Sequence, residues 1–127
     1  LNATNNNVVV NFAEKDVLSL EKLEQDFNLI VSNPPYVREL EKTDMQLNVL
    51  KYEPETALYV KDDDPLIFYR KITWLAQKAL VAGGRLYFEI NQYLGPETEK
   101  LLQQYGFKTE LRKDIYGNFR MLKGSLL

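Results

Sequence analysis

The stretch Phe27-Asn28-Leu29-Ile30-Val31-Ser32-Asn33-Pro34-Pro35-Tyr36 holds the residues best suited to chemistry. Phe27 and Leu29–Val31 form a short apolar run of the kind that makes a buried strand. Two prolines follow Asn33 at once, and a proline has no backbone N–H with which to extend a central ladder. The strand must therefore end near Asn33. The residue before a proline is held in extended geometry, which stiffens both Asn33 and Pro34. The product is a rigid corner at a strand's carboxyl end, where open α/β sheets bind their ligands. The Asn33 side-chain carbonyl and the Pro34 carbonyl are both acceptors, and together they can hold a planar –NH2 group by its two protons. Tyr36 can stack on the flat face of that group. Such bonds draw electron density onto the nitrogen and orient it, which is most of what can be offered to a poor nucleophile. The competing reading is a polar turn in which Asn, Pro and Tyr serve only as turn residues.

Composition narrows the chemistry. The 127 residues suit one compact domain, with eight tyrosines, six phenylalanines and one tryptophan to fill a core. The net charge of −2 argues against a broad nucleic-acid-binding face, which carries a basic stripe. There is no cysteine and no histidine, so disulfides, Cys/His zinc sites and histidine-based triads are all excluded. No apolar run reaches membrane-spanning length and no signal peptide is visible, so the expected location is the cytoplasm, with no membrane partner.

The elements that must position the corner can be read in order. Leu1–Asn7 reads as the end of a helix, and Val8–Phe12 as a strand. A polar turn, Glu14-Lys15-Asp16, leads to a short helix over Ser19–Gln25 with Ser19 as its N-cap. After the corner, Val37–Leu50 reads as a partly helical excursion over the site; Arg38 and Lys42 are candidate partner contacts, or part of a solvated face. Asp64-Pro65 reads as N-cap and first residue of a helix running to Leu80 and ended by Gly83-Gly84. Arg85–Ile90 is expected beside the corner's strand and parallel to it, joined by that helix as a crossover. A helix over Glu97–Tyr105, opened by Gly95-Pro96 and ended by Gly106, precedes two final strands, Phe107–Leu111 and Phe119–Lys123. They are joined by a turn around Gly117, and the last strand is antiparallel.

The corner resembles the catalytic loop of amino-methyltransferases that use S-adenosylmethionine. Four further segments follow in matching order: YEPETAL (52–58), DPLIFYRKI (64–72), GGRLYFEI (83–90) and KDIYGNFRML (113–122). Together they resemble the HemK/PrmC family, which methylates a glutamine side chain in peptide chain release factors. The resemblance implies an α/β fold: part of a class I S-adenosylmethionine-dependent methyltransferase sheet, Rossmann-like, with helices on both faces and a C-terminal antiparallel hairpin. It assigns Asn33 and Pro34 to holding the amide, Tyr36 to packing against it, and Pro35 to stiffening the loop. Glu53 would help to shape the substrate pocket, with a loop anchor as its alternative role. Asp16, with Val17 beside it, would lie near the adenine amino group of the cofactor, and Asn33 would border the same site; an ordinary loop or cap role for Asp16 is the alternative.

The chain also departs from the family. A glycine-rich first turn and the acidic residue one strand later are missing, and all six glycines lie at Gly83 or beyond. The resemblance therefore implies that residues 1–127 are the C-terminal portion of a catalytic domain, with an incomplete cofactor site. The two strands it lacks would lie between Val8–Phe12 and Phe27–Ser32. Bare edges there would either draw Val8–Phe12 into the gap or lead to self-association. Pro65, Asn91 and Leu94 stand where the family more often has glycine, glycine and glutamine. Two other functions stay open at this point: adenine N6 methylation of nucleic acid, which the acidic charge disfavours, and an inert fragment that only binds a partner or itself.

Overall fold

The computed structural model describes residues 1–38, 40–41, 54 and 58–127. After a single helical turn, α1 (Asn2–Asn5), come strands β1 (Phe27–Ser32), β2 (Val37–Arg38) and β3 (Tyr59–Val60). Helix α2 (Ile67–Ala79), strand β4 (Leu80–Glu89), helix α3 (Gly95–Gln104) and strands β5 (Phe107–Lys113) and β6 (Phe119–Leu126) complete the order. Four strands form one sheet in the order β1-β4-β6-β5, and β2 and β3 form a separate parallel pair. β1 and β4 are parallel, whereas β6 runs antiparallel to both β4 and β5. The expected neighbour of the corner's strand and the closing antiparallel hairpin are both present.

Helix α2 is built as its periodicity requires. Tyr69, Ile72, Thr73, Leu75, Ala76 and Ala79 recur at helical spacing and are all buried. They meet Leu86 and Phe88, alternate residues of β4 that face the same way, and Ile90 just beyond its end. Leu101 and Leu102 of α3 enter the same core, so both long helices lie on one face of the sheet. Tyr69 and Phe88 meet edge to face at 4.9 Å. At Gly124 of β6 a Cβ would stand 3.0 Å from both Leu102 and Phe107, so glycine is what lets α3 approach the sheet so closely. The opposite face is open among the described residues, and Leu29 and Val31 of β1 point their side chains to solvent there.

Several local expectations are corrected. Val8–Phe12 forms no strand; Val9 and Phe12 are 97% and 82% exposed, because no described strand offers them a ladder. Nor does the segment slide to the free edge of β1. The expected helix over Ser19–Gln25 is instead a 3₁₀ turn at Val17–Ser19, capped by the Asp16 carboxylate, which accepts from the Leu18 N–H at 3.0 Å. Asp64 does not cap α2, which starts at Ile67; its carboxylate receives both terminal nitrogens of Arg70 at 3.1 Å. Gly83 and Gly84 do not end α2 either. The helix passes directly into β4 at Leu80, and the glycines sit in a bulge where Phe27 pairs with Leu80 but Leu29 pairs with Arg85. Gly83 has φ +77°, and a Cβ at Gly84 would meet the Val81 carbonyl at 2.8 Å.

Candidate active site at the end of the first sheet strand

β1 pairs with β4 as far as Ser32 opposite Phe88, and then the prolines turn the chain away. Asn33 is exposed, Pro34 is buried, and Pro35 and Tyr36 are half-buried. The Asn33 side chain makes no hydrogen bond to a described residue. Neither proline has a backbone N–H to donate, and among the described residues the side-chain hydrogen bonds that fasten the corner are made to or by Tyr36.

Tyr36 is held at three points. Its hydroxyl donates to Glu89 Oε1 at 2.6 Å and accepts from Arg120 Nη1 at 3.2 Å. Its main-chain carbonyl accepts from Asn91 Nδ2 at 2.8 Å. Burial, reinforced by the hydrogen bond to Glu89, pushes the Tyr36 phenol up to about 12. The hydroxyl therefore keeps its proton at any physiological pH. Arg120 is itself tied to the Ile90 carbonyl at 3.3 Å, to Gln92 Oε1 at 3.2 Å and to Asp114 Oδ2 at 3.4 Å. The carbonyl of Glu89 accepts from the Tyr69 hydroxyl at 2.8 Å, which fastens the end of β4 to α2. Burial raises the Tyr69 phenol further still.

A second cluster lies behind the corner. Asn91 is 2% exposed, and its Nδ2 also donates to Glu41 Oε2 at 2.8 Å. Its Oδ1 accepts from the Tyr93 N–H at 2.9 Å. Buried Glu41 also accepts from the Arg38 backbone N–H at 2.9 Å and from Arg38 Nε at 2.7 Å. A buried carboxylate needs such partners, and all three fall on Oε2. The site residues expected from sequence thus divide. Val17, Pro34 and Pro35 come together in the lining of an apolar cavity of about 300 Å³, completed by Ile30, Phe68 and Ile72. Tyr36 belongs to the polar network instead. Asp16 caps the turn next to Val17. Glu53 lies outside the described residues, as does Lys42.

Four residues that sequence reasoning gave no role here, Glu41, Glu89, Asn91 and Arg120, surround Tyr36. The signals for two of them were present: Glu89 lies in GGRLYFEI and Arg120 in KDIYGNFRML, segments that carried the family resemblance without an assigned task. Among the described residues, no group of three or more Asp or Glu could hold a metal ion, and no helix is long and apolar enough to cross a membrane.

Comparison with known proteins gives these residues a context. No protein-family model matches the sequence. A release factor glutamine methyltransferase from Flavobacterium psychrophilum is 60% identical over 123 residues, 96% of this chain and 43% of that protein. A protein of the same name from Bacteroides thetaiotaomicron is 46% identical over 115 residues, 89% of this chain and 41% of that protein. The chain thus spans less than half the length of these curated relatives. Among solved structures, a methyltransferase from Pyrococcus furiosus matches 98% of this chain and 53% of its own at a TM-score of 0.64 and 17% identity. A release factor-specific protein-(glutamine-N5) methyltransferase from Alicyclobacillus acidocaldarius matches 80% of this chain and 49% of its own at a TM-score of 0.51 and 22% identity. These structural matches show the fold, that of class I S-adenosylmethionine-dependent methyltransferases. Over the stretch it shares with these relatives, the chain is similar to proteins named release factor glutamine methyltransferase.

Proposed function

We propose that residues 1–127 form the carboxyl-terminal, substrate-holding portion of a methyltransferase catalytic domain that methylates the side-chain amide nitrogen of a glutamine in a peptide chain release factor. The observation that carries the reading is the Asn33–Tyr36 corner at the carboxyl end of a parallel strand, fastened through Tyr36. The Asn33 side-chain carbonyl and the Pro34 carbonyl accept the two N–H protons of the glutamine amide. That fixes the amide plane and concentrates electron density on its nitrogen. The Tyr36 ring, pinned at its hydroxyl, packs on the flat face of the amide. With its phenol at about 12 and its proton directed at Glu89, Tyr36 orients the amide and is no general base.

The methyl donor in this reading is S-adenosylmethionine. The described residues fit one end of that group: Val17, Pro34 and Pro35 give an apolar cavity wall suited to a flat ring. The Asp16 carboxylate uses Oδ1 for its cap and so retains an oxygen for an amino group, with Asn33 at the border. When bound, the cofactor supplies a methyl carried on a positively charged sulfur. The reaction belongs to the cytoplasm, where release factors act. We further propose that the free edge of β1 lets this chain associate with another copy when nothing else pairs with it.

The test is transfer of labelled methyl from S-adenosylmethionine to a recombinant release factor by the full-length protein, with Asn33→Ala as the comparison. Label at a glutamine amide, lost by at least about a hundredfold in Asn33→Ala, is the expected result. Label on adenine in DNA instead would overturn the substrate assignment.

A further inference from the structure

We infer that Glu89, Asn91 and Arg120 are positioning residues for methyl transfer, because together they hold Tyr36 at both its hydroxyl and its main-chain carbonyl. The inference rests on the amide-holding reading of the corner and adds the groups that make the corner rigid. Pro34 and Pro35 have no N–H to donate, and among the described residues the side-chain hydrogen bonds that anchor the corner from behind all go to Tyr36. Glu89 and Asn91 flank Ile90, whose side chain is fully buried in the core. The two residues therefore stand on a segment that cannot slide. From there Glu89 takes the Tyr36 hydroxyl at 2.6 Å and Asn91 takes the carbonyl at 2.8 Å.

Arg120 closes the arrangement from β6. It donates to the hydroxyl at 3.2 Å and to the Ile90 carbonyl at 3.3 Å, so one guanidinium ties the corner and the end of β4 together. The guanidinium is planar and donates in a fixed fork, which sets direction as well as distance. Asn91 then extends the hold to Glu41, and through it to Arg38 of β2. A shift of one ångström in an acceptor of the amide would spoil its aim at the methyl, so groups that never touch substrate still govern turnover.

The experiment is a double-mutant cycle in the full-length protein, with Tyr36→Phe and Glu89→Ala, read by steady-state methylation of a release factor. Each single variant lowers kcat by about tenfold and leaves the KM for S-adenosylmethionine within about twofold. The double variant loses no more than either single one, because both remove the same contact. Arg120→Lys, which keeps a donor, recovers part of the kcat lost in Arg120→Met. Should Glu89→Ala fail to fold, Glu89→Gln, a weaker neutral acceptor, replaces it in the cycle. Additive losses of about a hundredfold in the double variant would overturn the inference while leaving the amide-holding reading intact. So would single variants with unchanged kcat. An unmodified protein that methylates no glutamine would overturn the underlying reading, and the inference with it.

Discussion

Replacing Asn91 by alanine removes three hydrogen bonds from a side chain that is 2% exposed. The bond to the Tyr36 carbonyl is neutral and contributes about 1 kcal/mol net. The bond to Glu41 is charge-assisted, but Glu41 keeps Arg38 Nε and the Arg38 N–H, so its loss costs about 1 kcal/mol rather than the full cost of an unpaired buried carboxylate. The Tyr93 N–H loses its Asn91 acceptor, for about another 1 kcal/mol. The sum is about 3 kcal/mol, a fall in melting temperature on the order of 10 °C for a domain of this size. Urea unfolding followed by far-ultraviolet circular dichroism measures it. Asn91→Asp makes a sharper comparison. It sets a second carboxylate against Glu41, so the introduced group has a folded-state pKa above its unfolded value. Such a group costs nothing extra while protonated, and its penalty grows as the pH rises through the unfolded pKa. Asn91→Asp should therefore be less stable than Asn91→Ala at pH 8, with the gap narrowing as the pH falls and closing near about pH 4. A loss below about 1 kcal/mol in Asn91→Ala, or a gap between the two variants that does not change with pH, would refute the assignment of Asn91 as a saturated link between Tyr36 and Glu41.

Three further outcomes are expected. The phenol of Tyr36 at about 12 lies above its unfolded value of about 10, so its contribution is complete below pH 10 and is lost as the pH rises toward 12; Tyr36→Phe should flatten that part of an alkaline unfolding curve, and an unchanged curve would contradict the buried hydroxyl. Thr73 Oγ1 is buried in α2 without a hydrogen-bond partner among the described residues, so Thr73→Val should raise stability by about 1 kcal/mol in thermal unfolding, and a loss would reveal an unrecognised partner. Val31, 70% exposed on the free edge strand, is the site for Val31→Lys, which should suppress association of this chain in sedimentation velocity; a monomeric unmodified chain at high concentration would remove the basis for edge pairing.

The amino-acid sequence by itself determined the local grammar. The apolar run before two prolines gave β1 and its abrupt end, and 3.6-residue periodicity gave α2. Gly106 and Gly117, at φ +89° and +80°, mark turns that glycine announces without knowledge of any neighbour. The order of motifs gave the family, because each motif is contiguous in the chain. Where the sequence misled, the deciding partner was remote or missing. Val8–Phe12 has a strand's composition, but a strand exists only with a ladder beside it, and none is described. Gly83-Gly84 looks like a helix stop, yet pairing with β1 draws that segment into a bulged strand. The clamp on Tyr36 was legible in no local window: its partners Glu89 and Arg120 are 53 and 84 residues away in the chain. Only the parallel pairing of β1 with β4 and the antiparallel return of β6 bring three strand ends to one place. That convergence decides which polar side chains become neighbours, and so which of the chain's many charged residues hold the candidate site together.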